Sequence, residues 1–294
     1  MNPSEQDVKH NYEEGVARPV VSFEFFPPKT EESKAALWKS IKELEPLNPH
    51  YVSVTYGAGG TTRETTFETV AAIRNETKLN PAVHLTCVGH SKDEIKKLAE
   101  SYWEAGIQQI VALRGDPPKG EDYVPHPEGY AYADELVKGL LEIAPFEIMV
   151  AAYPETHPAA PNAKFDLDHL RRKLDNGARE AVCQYCFDTD NFLRFMDRAR
   201  AVGITAPISP GIMPISNFAQ CVRFSKMCGA VVPSWMHKLF AEADENPAMR
   251  DQLAVYIAAE QCNRLRAEGI HNFHFYTLNR ADLTKAICRL IGAA

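Results

Sequence analysis

Eight short runs of apolar, β-branched and aromatic residues recur along the chain at roughly thirty-residue intervals, the size of a strand–helix–strand unit. They are VVSFEFFP from Val20, YVSVTYG from Tyr51, AVHLTCV from Ala82, QIVALRG from Gln109, EIMVAAYP from Glu147, EAVCQYCF from Glu180, APISPGIMP from Ala206 and NFHFYTLN from Asn272. Between them lie stretches such as SKDEIKKLAESYWEAG (91–106), whose apolar residues Ile95, Leu98, Tyr102 and Trp103 fall near a 3.6-residue period and which ends on glycine. That spacing predicts helices. Eight strand–helix repeats predict a single α/β domain, a (β/α)8 TIM barrel, over residues 20–294, preceded by a polar segment over 1–19. An open doubly wound sheet fits less well. It would carry G-x-G-x-x-G or a P-loop after a strand, and the glycines of Gly57-Ala-Gly-Gly60 have the wrong spacing. The period is interrupted by the loop DPPKGEDYVPHPEGYA after the fourth run and by a helical insertion from about 216 to 267.

Barrel strands are buried on both faces, so a polar side chain within them needs a reason. Nearly every run has one: Glu24, Thr55, His84, Arg114 with Asp116, Tyr153 with His157, Gln184, and Arg280 just past the last. A barrel brings them to one mouth, the face where such folds place their sites. Glu24 stands among Phe23, Phe25 and Phe26, a desolvated setting that equips a carboxyl group as a general acid. The alternative is a structural ion pair, with Arg114 the obvious partner. Asp116 before Pro117-Pro118 reads equally as a turn former. His84 reads as a hydrogen-bonded core residue, and no metal site is expected, because no Asp, Glu or His stands at a ligand spacing beside it. In FDLDHLRRKLDNGA, Leu167, Leu170, Leu174 and Ala178 form the buried stripe, while Asp166, His169 and Lys173 line a polar flank with Arg172 beside it. That flank is either a solvated face or a seat in which cations meet a diphosphate and Asp166 accepts from a sugar hydroxyl.

The 294 residues are 45% hydrophobic and 24% charged, with 32 Lys and Arg against 39 Asp and Glu, a net charge of −7. That sign argues against a nucleic-acid partner. No signal-peptide pattern and no run of 18 apolar residues is present, so no membrane partner and a cytoplasmic location are expected. Seven cysteines, an odd number, suit reduced thiols; Cys183 and Cys186 lie three apart in a strand, on opposite faces, and read as packing residues.

Taken together, VSFEFFPPKT, VSVTYGAGG, HLTC, IVALRGDPP, VAAYPETHP, RRKLDNGA, PGIMPISNF and FHFYTLNRA resemble the bacterial, flavin-dependent methylenetetrahydrofolate reductases, in order and from about residue 20 to the end. The resemblance implies a non-covalent FAD that takes hydride from NADH or NADPH and passes it to 5,10-methylenetetrahydrofolate. The product is 5-methyltetrahydrofolate, formed in alternating half-reactions at one site. It implies that Glu24 protonates N10 to open the methylene bridge and that Asp116 stabilises the resulting cation and tunes the flavin. Thr55, Tyr56, Ala58, His84, Arg114, Gly115, Asp116, Tyr132, Ala133, Tyr153 and His157 are implied around the isoalloxazine, ribityl and phosphate portions. Asp166, His169, Arg172 and Lys173 are implied at the diphosphate and adenosine end. Gln184, Gln220, Phe224 and Arg280 are implied on the face shared by nicotinamide and folate, Arg280 toward the folate tail or the dinucleotide phosphates. A homo-oligomer without inhibition by S-adenosylmethionine is expected on the same basis. Two positions depart from the family pattern: Cys186, where an aromatic is usual, and His169, where a smaller amide is common. A Schiff-base lyase is disfavoured because no lysine lies within the eight runs, and a flavin or folate carrier would not need a buried acid such as Glu24.

Overall fold

The computed structural model describes residues 18–57, 62–117, 121–243 and 246–294. Each apolar run holds one strand: β1 (Val20–Phe25), β2 (Val52–Val54), β3 (Pro81–Thr86), β4 (Gln109–Leu113), β5 (Glu147–Ala152), β6 (Glu180–Tyr185), β7 (Ile208–Ile212) and β8 (Asn272–Tyr276). The strands are parallel and pair in sequence order into a closed barrel. β1 and β8 complete the ring in the register Ser22 to His274 and Glu24 to Tyr276. The helices are α1 (Glu31–Leu44), α2 (Arg63–Glu76), α3 (Lys92–Glu104), α4 (Ala133–Ile143), α5 (Ala163–Asp175), α6 (Thr189–Ala201), α7 (Phe218–Cys228), α8 (Ser234–Ala243), α9 (Pro247–Ala267) and α10 (Ala281–Leu290). The insertion expected over 216–267 is α7 to α9, and none of the helices among the described residues is long and apolar enough to cross a membrane.

Strand periodicity sorts the side chains. Val21, Phe23 and Phe25 of β1, with Phe273 and Phe275 of β8, turn outward into the main core, where Leu37 and Ile41 of α1 meet them. A fully buried phenylalanine contributes about 1.5–3 kcal/mol of transfer free energy, so these five hold the seam of the barrel. Tyr51, Ala82, Val111, Met149 and Val182 fill the interior. A third cluster, including Tyr185, Met213, Phe218, Met236 and Phe240, fastens the insertion over β6 and β7.

The same alternation corrects the reason given above for the desolvation of Glu24. Phe23 and Phe25 point away from its carboxylate because adjacent residues face opposite sides of a strand, and Phe26 is exposed. What encloses Glu24 is the barrel interior. Side-chain caps start several helices at the C-terminal ends of the strands: Thr30 before α1, Ser91 before α3, Asn162 before α5 and Asn217 before α7 each accept a backbone N–H of the first turn. The loops that carry the polar residues are thereby anchored at their helical ends.

Candidate active site

At the C-terminal mouth, a cavity of about 950 Å³ gathers Glu24, Thr55, Tyr56, His84, Tyr153 and Gln184 from the strand ends, and Gln220 and Phe224 from α7. A second cavity of about 380 Å³ runs outward between β4 and α5, lined by Arg114, Gly115, Asp116, Tyr132, Ala133, Tyr153, His157, Asp166, His169 and Lys173. Leu113, Ala151 and Tyr153 line both, so the two form one elongated trough. Of the anticipated residues, Ala58 lies outside the described residues. Arg172 and Arg280 line neither cavity.

Glu24 is held in the inner part. Its Oε2 lies 3.5 Å from Nε2 of His84 and 3.6 Å from Nε2 of His274. Ser22 Oγ and His274 Nδ1 are 2.8 Å apart, so the tautomer in which Ser22 donates to Nδ1 turns an Nε2–H toward Glu24. Burial pushes the His84 imidazole toward its neutral form, opposed in part by Glu24. Glu24 therefore faces two imidazoles rather than a fixed cation. Arg114 is not its partner: the guanidinium lies over the Tyr123 ring at 4.4 Å and stands 3.9 Å from Asp116. The backbone beside Glu24 is also pinned, since Thr277 Oγ1 donates to the Glu24 carbonyl at 2.6 Å. Asn279 accepts from Phe26 N at 2.8 Å and donates to Phe26 O.

The outer cavity carries charge of both signs, Arg114 and Lys173 beside Asp116, Asp134 and Asp166. Lys173 is partly buried and donates to the Ala151 carbonyl; desolvation pulls its ammonium down to about 8. Asp166 accepts the His157 backbone N–H at 2.8 Å, which commits one carboxylate oxygen to shaping the loop. His169 lies beside the Phe165 and Tyr132 rings, at 4.4 and 5.0 Å, and its Nε2 is 2.7 Å from the Arg172 guanidinium. Arg172 reaches outward to Asp134 at 3.3 Å. The other oxygen of Asp134, Oδ1, is buried without a partner. Gly115 is required where it stands. Its φ is +85°, and a Cβ there would come within 2.5 Å of Val88.

Sequence reasoning missed His274, Ser22, Tyr276, Asn279 and Asp134. His274 carried a usable signal, since it sits between Phe273 and Phe275 as Glu24 sits between Phe23 and Phe25. Among the described residues no group of three His, Cys, Asp or Glu side chains is arranged to hold a metal ion, and all seven cysteines are free thiols.

A trough with one enclosed carboxylate, two neighbouring imidazoles and a separate arm bearing Arg114 and Lys173 suits a long, partly anionic ligand whose reacting end meets a proton donor. Comparison with known proteins narrows that description. The chain is 46% identical over 272 residues to 5,10-methylenetetrahydrofolate reductases of Escherichia coli and of Pectobacterium carotovorum, covering 92% of this chain and 90% of each relative. It is 37% identical over 277 residues to methylenetetrahydrofolate reductase (NADH) 1 of Zea mays, of which it spans 47%. In structure it superposes on a Clostridium thermocellum protein that binds two copies of 5-methyl-5,6,7,8-tetrahydrofolic acid. There the TM-score is 0.63 and the identity 14%, over 94% of this chain and 95% of that one, a likeness of fold. The profile of methylenetetrahydrofolate reductases matches residues 9–292, and with these relatives it establishes that the chain belongs to the methylenetetrahydrofolate reductase family.

Proposed function

We propose that this chain reduces 5,10-methylenetetrahydrofolate to 5-methyltetrahydrofolate, drawing hydride from NADH or NADPH through a bound FAD in two half-reactions at the same mouth. The observation that carries the reading is Glu24 in the inner cavity, enclosed by the barrel and joined by the trough to the arm that carries Arg114 and Lys173. The arm suits FAD on its donor set. Lys173, Arg114 and His157 offer positive or N–H groups to a diphosphate. The unpartnered Asp134 Oδ1 and the second oxygen of Asp166 can accept from sugar hydroxyls, and Tyr132, His169 and Phe165 give a planar ring an aromatic neighbour. Arg172, outside the cavity, acts by fixing His169 and Asp134. The inner trough between Thr55, Tyr56, His84 and Tyr153 would take the isoalloxazine. When bound, the flavin supplies a two-electron carrier between the two substrates.

The protein's part is to position and to move a proton. The methylene bridge opens to an N5 iminium cation once N10 is protonated, and Glu24 is the acid placed for that transfer. Asp116, exposed at the trough edge beside Arg114, contributes negative charge toward that cation and the flavin. Gln184, Gln220 and Phe224 line the mouth on the side where nicotinamide and folate would alternate. Arg280, exposed at the start of α10, is left for the anionic folate tail or the dinucleotide phosphates.

The test is direct. The purified protein should release FAD on denaturation and oxidise NADH or NADPH with methylenetetrahydrofolate as acceptor. Well-folded protein that binds no added FAD, or that reduces a quinone but never the folate, would overturn the reading.

A further inference from the structure

Helix α9 packs between α6 and α10 as a regular barrel helix would, so α7 and α8 are the additions that follow β7. Helix α7 brings Gln220 and Phe224 to the inner cavity, where Tyr153 also stands. Two contacts hold its C-terminal end. On the β6 side, the Tyr185 hydroxyl lies 3.2 Å from Ser225 Oγ and accepts from Cys228 Sγ at 3.3 Å. Past the helix end, the Glu155 carboxylate accepts the Val231 backbone N–H at 2.9 Å. Gly229 caps α7 with φ +78°, and a Cβ there would stand 2.7 Å from Pro158, so glycine lets this turn close on the β5–α5 loop. That loop carries Tyr153 and His157 into the trough, and it is fixed without help from α7. Thr156 N donates to the Tyr153 carbonyl at 3.3 Å, Arg198 donates to the Pro154 carbonyl at 3.4 Å and His157 N donates to Asp166. Thr156 itself has φ of 72°, a left-handed conformation that is rare for a β-branched residue. Such a backbone persists only where its surroundings over-determine it, and such strain gathers at functional sites.

We propose that Glu155 is a positioning residue: by holding the Val231 N–H it latches the end of α7 to the β5–α5 loop, and so sets Gln220 and Phe224 against Tyr153 at the spacing the two substrates need. The inference rests on the function proposed above, which seats nicotinamide and folate in turn beside Gln220 and Phe224. Glu155 lines neither part of the trough, so it acts only through α7. The two wall residues differ in their dependence on it. Gln220 lies at the start of the helix, where Asn217 accepts its backbone N–H at 2.8 Å. Phe224 lies one turn before the latched end, so its ring follows the latch more closely. Loosening one wall of a site used by both substrates weakens the binding of ground state and transition state alike, which raises KM and leaves kcat in place.

The experiment compares wild-type, Glu155→Ala and Glu155→Gln proteins, with thermal unfolding as the check of fold. Hydrogen exchange over residues 229–232 of FAD-free protein, read by mass spectrometry, reports the latch itself. Removing the acceptor in Glu155→Ala should speed exchange there by about tenfold and leave β5 unchanged. Glutamine keeps an oxygen that accepts an N–H, so Glu155→Gln should exchange within about twofold of wild type. In FAD-loaded protein, Glu155→Ala should raise KM about fivefold for NADH in the quinone assay and for methylenetetrahydrofolate, the scale of one lost hydrogen bond. Its kcat and FAD affinity should stay at wild-type values, and glutamine should restore both KM values. Unchanged exchange over 229–232 in Glu155→Ala would overturn the latch. Faster exchange with wild-type KM values would overturn the positioning role, as would a loss of kcat or of FAD affinity equal to the rise in KM. Wild-type protein inactive toward the folate would instead bring down the functional reading, and the positioning role with it, whatever the exchange shows.

Discussion

Glu24 and His274, from the first and last strands, meet where the barrel closes, with carboxylate Oε2 3.6 Å from imidazole Nε2. The contact is a product of register. Pairing Ser22 with His274 and Glu24 with Tyr276 places every second residue of both strands in the interior, so the carboxylate sits one layer above the imidazole. An acid at this spot can be held by imidazoles and still turn toward the mouth.

Hydride transfer from a nicotinamide to flavin needs no proton on the folate, whereas opening the methylene bridge does. Glu24→Gln should therefore leave NADH–quinone turnover near wild type and lower NADH–folate turnover by at least about 10²-fold, the range of a lost general acid. Glutamine keeps the shape, so packing should persist. Equal loss in both assays would make Glu24 a support of the flavin site rather than the proton donor.

Asp116 is 80% exposed as a side chain and stands 3.9 Å from Arg114. Its replacement by asparagine should leave unfolding unchanged while removing a negative charge from the trough edge. Stopped-flow traces should show both flavin reduction by NADH and reoxidation by methylenetetrahydrofolate slowed, by about tenfold, or roughly 1.4 kcal/mol of barrier. Traces matching wild type in both directions would return Asp116 to the role of a turn residue.

Gly115→Ala combines a left-handed backbone with a collision, since the new methyl would lie 2.5 Å from Val88 and 2.8 Å from Thr86. Strain of this kind costs on the order of 1–3 kcal/mol. Denaturant titration should record that loss, together with weaker FAD retention because Arg114 and Asp116 flank the displaced residue. A wild-type midpoint with full FAD affinity would contradict the assignment.

The barrel was legible because apolar runs and amphipathic stretches alternate along most of the chain, and Glu24 and His84 stood out as ionisable groups in buried strands. Strand parity would also have shown that Arg114 could not serve Glu24: β4 turns Val111 and Leu113 inward, so Arg114 points elsewhere. Parity carries less in helices. Arg172 and Lys173 are neighbours on α5, yet the first is half exposed against Asp134 and the second partly buried against β5, because Lys173 lies nearer the Leu170 edge of the buried stripe. The stacking of Tyr51 on His274 was not legible at all. It joins the segment before β2 to β8, a contact no local pattern encodes.

Lys173 gives the sharpest pH prediction. Its ammonium falls from 10.5 when solvated to about 8 in the fold, because burial disfavours the charge more than Asp166 and Asp134 restore it. Between those values the unfolded chain holds a proton that the FAD-free native protein does not, so the Lys173 contribution to stability rises with pH across that window, by roughly 3 kcal/mol in all. The buried thiols act the other way, because burial raises Cys87 and Cys221 to about 11 and they ionise first in the unfolded chain, so the Lys173 contribution is read as wild type minus variant. In the native protein burial pushes His157 down and Tyr153 up, so neither changes charge beside Lys173 there. Lys173→Met, close in length and apolar, should remove this rise. The opposite trend applies to the cofactor: a bound diphosphate favours the ammonium, so FAD affinity should fall as pH climbs above about 8, by up to tenfold per pH unit. In Lys173→Met protein, affinity should be weaker near neutrality and flat over the same range. Fluorescence titrations of FAD into both proteins, from pH 7 to 10, check this directly. Parallel curves would show that Lys173 does not meet the diphosphate, and would reassign that contact to Arg114 and His157.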